Sequence, residues 1–143
     1  MIVADTGAIL ASIDASAAEH KQCADLVQHA DSPMLVSHMV VAETDYLLTK
    51  RFGIATANQF LSDVATGAFQ LVPTNERDLQ EAVTVNTRYS DQMLGVTDCL
   101  NVVLAWRYGT IKLFTLDERH FRVVRPLAHG DTFQLLPVDQ KVA

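Results

Sequence analysis

Ile2-Val3-Ala4-Asp5-Thr6-Gly7-Ala8 begins as a short apolar strand and stops on a carboxylate. Leu113-Phe114-Thr115-Leu116-Asp117 repeats that form near the other end of the chain, with Asp117 directly after a strand expected over 111–116. Further strands are expected over 34–36, 69–72 and, past the Gly130-Asp131 turn, 133–136. Helices are expected over 8–13, from Ser16 to about Ala30, over 37–52, 55–65 and 96–108, and from Asn75 to about Tyr89. Ser16-Ala17-Ala18-Glu19 fits a capping box, Asn75 with Asp78 can cap another helix, and Gly53 is a C-terminal stop. Residues 90–95 read as a loop. Strands alternating with helices indicate an α/β fold, a mostly parallel central sheet of about five strands covered by helices on both sides. In such sheets, sites form beyond the carboxyl ends of the strands. Asp5 and Asp117 both lie on that edge.

Bulk properties narrow the class. Hydrophobic residues make up 49% of the 143 and charged ones 20%, which excludes disordered, collagen-like and coiled-coil chains. With no repeat, low-complexity tract or linker, residues 1–143 read as one domain. No apolar run reaches the roughly 18 residues of a membrane helix, and the N-terminus lacks the basic segment of a signal peptide, so a cytoplasmic location and no membrane partner are expected. Cys23 and Cys99 form neither a disulfide framework nor a short metal pair and read as small buried apolar residues. The net charge of −6 counts against nucleic acid when taken alone, because phosphate binding usually shows as a basic face. Acids that bind divalent cations weaken that objection.

If the first and fourth strands are neighbours, Asp5 and Asp117 lie within a few ångströms of each other. Two carboxylates that close repel unless one takes up a proton or a cation lies between them. Mg²⁺ suits such a place, since it is held by one or two carboxylates plus water and substrate phosphate. Either Asp alone is also an ordinary turn or cap residue; the pair on one edge favours function. Two more acids lie inside helices. Glu43 has Met39, Val40, Tyr46 and Leu47 at helical neighbour positions, an apolar stripe in which a carboxylate must be paired, protonated or metal-bound. Asp45, about 200° around the same helix, has Val41, Ala42 and Leu48 as neighbours, so periodicity leaves both acids open. Asp98, with Val102 one turn on, is either part of the site or an acid favoured by the helix dipole. Thr6 and Thr115 adjoin the strand-end acids and can donate hydroxyl hydrogen bonds; Thr115 equally fits a plain strand position.

These residues resemble a known family. Ile2 to Ala8 resembles the opening of PIN-domain ribonucleases, Val40-Val41-Ala42-Glu43 their second motif, Thr97-Asp98-Cys99-Leu100-Asn101 the third and Thr115-Leu116-Asp117-Glu118-Arg119-His120-Phe121 the fourth. The spacing and length are most similar to VapC, the toxin half of bacterial VapBC pairs, and the likeness runs to about Pro137. Ala4 is an extra residue relative to shorter Val-Asp openings, and Cys99 stands where Ala is common. The resemblance selects Glu43 over Asp45. It implies a PIN-like domain and a Mg²⁺- or Mn²⁺-dependent endoribonuclease that cuts structured RNA, tRNA or ribosomal RNA, to inhibit translation. It also implies Asp5, Glu43, Asp98 and Asp117 as catalytic metal ligands, a small VapB-like antitoxin and a homodimer. No His is required as a general base, and His120 reads as a packing or RNA-contact residue.

Arg119, Arg122 and Arg125 form the most basic stretch and can hold flanking RNA phosphates, or be a solvated loop. Lys50-Arg51 fit a helix-dipole role. Other α/β classes fit less well. A receiver domain needs an adjacent acidic pair after strand one, and a haloacid-dehalogenase-type phosphatase needs an Asp where Gly7 stands. A catalytically silent PIN-fold interaction module is the remaining rival, and retention of all four acids weighs against it.

Overall fold

The computed structural model describes residues 1–128 and 130–140. Its elements run β1 (Ile2–Ala4), α1 (Thr6–Ile13), α2 (His20–His29), β2 (Met34–Ser37), α3 (His38–Phe52), α4 (Ile54–Ala65), β3 (Gln70–Val72), α5 (Glu76–Arg88), α6 (Val96–Arg107), β4 (Lys112–Phe114), α7 (Glu118–Phe121) and β5 (Gln134–Leu136). A short 3₁₀ turn, Ser90–Gln92, interrupts the loop before α6. The five strands form one sheet in the order β3-β2-β1-β4-β5, and each pairing is parallel. The expected α/β architecture is therefore the observed one.

Neighbouring strand residues point to opposite faces, and here both faces are apolar. Ile2, Ala4, Met34, Val36, Phe114 and Leu136 pack with α1 to α4 in one core, which also takes in Phe60 and Cys23. Val3, Leu35, Leu113 and Leu135 pack with α5, α6 and α7 in the other, beside Leu100, Phe121 and Cys99. The two cysteines are thus free, buried and on opposite sides of the sheet. Burial pushes each thiol up to about 11, which keeps it a protonated, inert apolar group.

Caps set the helix boundaries near the site. Ser37 Oγ accepts from the Val40 amide at 3.1 Å, so the last residue of β2 starts α3 directly. Gly53 alone joins α3 to α4 at φ 94°, a backbone state open to glycine. Asn75 and Asp78 make the expected reciprocal capping box. Ser16 and Glu19 do not. The Ser16 amide and hydroxyl both donate to Asp14 Oδ1, at 2.9 and 2.6 Å, and α2 starts only at His20. This local side-chain turn at Asp14 competes successfully with helix initiation. No helix among the described residues is long and apolar enough to cross a membrane.

Candidate metal centre

The connections β1–β2–β3 step one way across the sheet, while β4 and β5 lie on the other side of β1. The crevice where the order reverses is where a parallel sheet opens a site, and Asp5 stands at it. The Asp5 amide donates to the Phe114 carbonyl at 2.8 Å, continuing the β1–β4 pairing past Ala4. Its carboxylate then turns to cap α1. Oδ1 accepts from the Thr6 amide at 3.0 Å and from Asn101 Nδ2 at 3.2 Å, and Oδ2 accepts from Thr115 Oγ1 at 2.9 Å. Thr115, rather than Asp117, is therefore the immediate neighbour of Asp5 across the strands. It is 1% exposed, and its hydroxyl also accepts from the Asp117 amide at 3.0 Å. The hydroxyl thus links the Asp5 carboxylate to the Asp117 backbone. Thr6 is buried, and its own hydroxyl has no partner among the described residues.

Asp117 caps the short helix α7. Oδ1 accepts from the His120 amide at 3.0 Å, and Oδ2 lies 2.8 Å from His120 Nδ1. His120 is thus tied to the acidic set rather than serving only as packing. Its signal in the sequence is the i+3 spacing from a strand-end acid. Asp98 occupies the first turn of α6 and accepts weakly from the Gly95 amide at 3.4 Å. Asp98, Asp117 and His120 each offer a ligand atom, and these atoms lie within 4.8 Å of one another.

Glu43 corrects the periodicity argument. It is exposed, and so are Met39 and Tyr46; the buried face of α3 runs through Val40, Thr44 and Leu48. Of the four apolar neighbours of Glu43, Met39 and Tyr46 are exposed, Leu47 is half-buried and only Val40 is buried, so burial is not what constrains this acid. Glu43 instead lines an open cleft of about 380 Å³ together with Asp5, Thr6, Asp98 and Asp117, walled by Leu10, Leu47 and Leu116. Asp45 does not line it.

The charges in this cleft disfavour one another. Burial, opposed by the Thr115 hydrogen bond and reinforced by Asp98 and Asp117, raises Asp5 from 3.8 to about 6. Burial likewise raises Asp98, opposed by the Gly95 amide and His120 and aided by the Asp117 and Glu43 charges. Four carboxylates and an imidazole at one sheet edge form a mainly hard-oxygen donor set, the chemistry that suits Mg²⁺ or Mn²⁺. A divalent cation there would relieve the repulsion, so the residues present fit the group.

The three arginines after Asp117 have different settings. Arg122 binds Asp139 through both of its terminal nitrogens at 2.7 Å and also reaches Glu118 at 3.1 Å. Arg119 and Arg125 are exposed, with no carboxylate partner among the described residues.

Residues 2–126 match the family model of the PIN domain. Ribonuclease VapC26 of Mycobacterium tuberculosis is 37% identical over 136 residues, which cover 95% of this chain and the full length of that relative. The chain belongs to the PIN-domain family, among the VapC ribonucleases. Solved structures superpose on it at lower identity. VapC20 of Mycobacterium tuberculosis, a sarcin–ricin loop cleaving toxin, aligns with a TM-score of 0.76 at 19% identity, covering 82% of this chain and 91% of its own. A toxin–antitoxin complex from Klebsiella pneumoniae aligns with a TM-score of 0.64 at 17% identity, over 87% of this chain and 92% of its own. At these identities the likeness is one of fold, and it agrees with the five-stranded parallel sheet.

Proposed function

We propose that this VapC-family chain is the toxin of a toxin–antitoxin pair, an endoribonuclease that uses a divalent metal to cut structured RNA (tRNA or ribosomal RNA) and so inhibit translation. Asp5, Glu43, Asp98 and Asp117 are the catalytic, metal-holding residues, and Thr6 and Thr115 support them. One observation carries the reading: carboxylates from four separate elements line one cleft, and their burial and mutual repulsion already raise Asp5 and Asp98.

A bound Mg²⁺ or Mn²⁺ would supply an acidified water for attack on phosphorus and positive charge against the phosphate oxygens. The chain's own residues do the rest. Thr115 holds Asp5 through Oδ2. His120 orients Asp117. Arg119 and Arg125 are free to contact flanking phosphates, whereas Arg122 serves chiefly in its network with Asp139 and Glu118.

Cleavage of total RNA with Mg²⁺, repeated with EDTA and with Asp5→Asn, tests this. Loss of cleavage in both controls supports the metal mechanism, and undiminished cleavage in both sinks it. No cleavage of any RNA by the wild type would favour the silent interaction module.

The reading extends to partners. The Klebsiella neighbour is a toxin–antitoxin complex, and a small VapB-like antitoxin is the corresponding partner here. Met39 and Tyr46 on α3 and Ile54 and Leu61 on α4 are exposed apolar residues of the kind such a segment covers. Co-purification with a small protein encoded next door tests the pairing. Light scattering of the purified toxin tests the homodimer, and cell fractionation the cytoplasmic location.

A further inference from the structure

Asn101 is 1% exposed on the buried face of α6, in a run whose neighbours Cys99, Leu100, Val102, Val103 and Leu104 are all apolar core. A polar amide in such a place must satisfy its own groups. Here it does so only by half. Nδ2 donates to Asp5 Oδ1, while Oδ1 of the amide has no partner among the described residues. An isosteric leucine would avoid burying that carbonyl oxygen, so fold stability alone does not account for an amide here. The group Asn101 serves is Asp5.

Lone pairs sharpen the point. A carboxylate offers about two acceptor positions on each oxygen. On Asp5, Oδ1 takes two donors, the Thr6 amide and Asn101, and is filled. Oδ2 takes one, Thr115, and keeps one position. Without Asn101, Oδ1 would have a position open, and a cation could be drawn to either oxygen of Asp5 rather than to Oδ2 alone.

We propose that Asn101 is a positioning residue for the nuclease centre: its amide occupies the Oδ1 edge of Asp5 and leaves Oδ2 as the oxygen with room for a cation. This rests on the metal reading of the cleft. The role differs from that of the four acids, because Asn101 acts through Asp5.

The test uses Asn101→Leu, which keeps size and removes the donor, and Asn101→Ala as a second variant in case leucine does not pack. Thermal midpoints without metal report folding, and calorimetric titration with MnCl₂ reports the centre without any turnover. Residues that orient a metal ligand typically change metal affinity by about 10- to 100-fold. A folded variant with a midpoint near the wild type is expected to bind Mn²⁺ at least about tenfold more weakly, and to lose kcat rather than raise KM for RNA. Wild-type-like Mn²⁺ affinity in a folded Asn101 variant, with Asp5→Asn abolishing binding, would overturn the positioning role while leaving the metal reading intact. Absence of Mn²⁺ binding by the wild type would overturn both.

Discussion

Thr115 Oγ1 donates a 2.9 Å hydrogen bond to Asp5 Oδ2 and at the same time accepts the Asp117 amide at 3.0 Å. One buried hydroxyl therefore sets the spacing of two acids that lie 112 positions apart in the chain. Thr115→Val keeps the shape and removes both bonds. It is expected to lower RNA cleavage by about 10- to 100-fold while far-ultraviolet circular dichroism stays native. Activity within twofold of the wild type would show that the hydroxyl is only a strand filler.

The folded-state value of Asp5 is raised, to about 6. A raised carboxyl binds its proton more tightly folded than unfolded, so its stabilising contribution is complete below about 4 and is lost as the pH passes 6. In EDTA, denaturant unfolding is expected to show the wild type weakening by up to about 3 kcal/mol between pH 4 and 8. Asp5→Asn is expected to flatten much of that slope, with Asp98 supplying a remainder of the same sign. Mg²⁺ should restore stability to the wild type at pH 8 and do little for the variant. Equal slopes in the two proteins would refute the assignment.

Arg107 Nη1 lies 2.7 Å from Asp78 Oδ2, whose side chain is only 4% exposed and also caps α5. Removing one partner of such a pair strands a buried charge. Arg107→Met is expected to destabilise the protein by about 3 kcal/mol, read by urea unfolding, with kcat unchanged at a temperature where the variant is folded.

Arg119 and Arg125 stand apart from Arg122. If the first two meet phosphates, Arg119→Ala and Arg125→Ala should each reduce the salt dependence of RNA affinity by nearly one unit of log–log slope, about 0.7 for a single-stranded contact. Arg122→Ala should leave the slope almost unchanged and instead lower the thermal midpoint slightly, through loss of Asp139 and Glu118. Fluorescence anisotropy with a labelled catalytically stable RNA across salt concentrations separates the two outcomes.

The end of β1 was readable in the sequence because a parallel sheet forces apolar residues onto both faces, so Asp5 breaks the pattern where that strand gives out. β4 ends at Phe114, earlier than the strand expected over 111–116, and Asp117 follows three residues later as the cap of α7. The helical acids are a different case. Met39 and Tyr46 make Glu43 look buried, yet both are exposed, and the true inner face is marked by Thr44, a residue that hydropathy ranks as neutral. Asn101 meets Asp5 from 96 positions away, and no local spacing announces a pair of that kind. Only its place three residues after Asp98 hints at it, as does the same interval between Asp117 and His120. The early start expected for α2 fails for an equally local reason, since Asp14 takes the hydroxyl that a capping box needs.

The sheet divides the interior into two separately packed layers, and the cleft draws on both. Asp5 caps a helix of the first layer and Glu43 rides on another; Asp98 and the Asp117–His120 pair belong to helices of the second. An inactive variant at Phe60 or at Leu104, each deep in a different layer, would be a misalignment of half the carboxylates rather than a lost contact with substrate. Loss-of-toxicity screens should accordingly recover substitutions in two spatially separate groups. Pairing one mild substitution from each would test whether the halves fail independently.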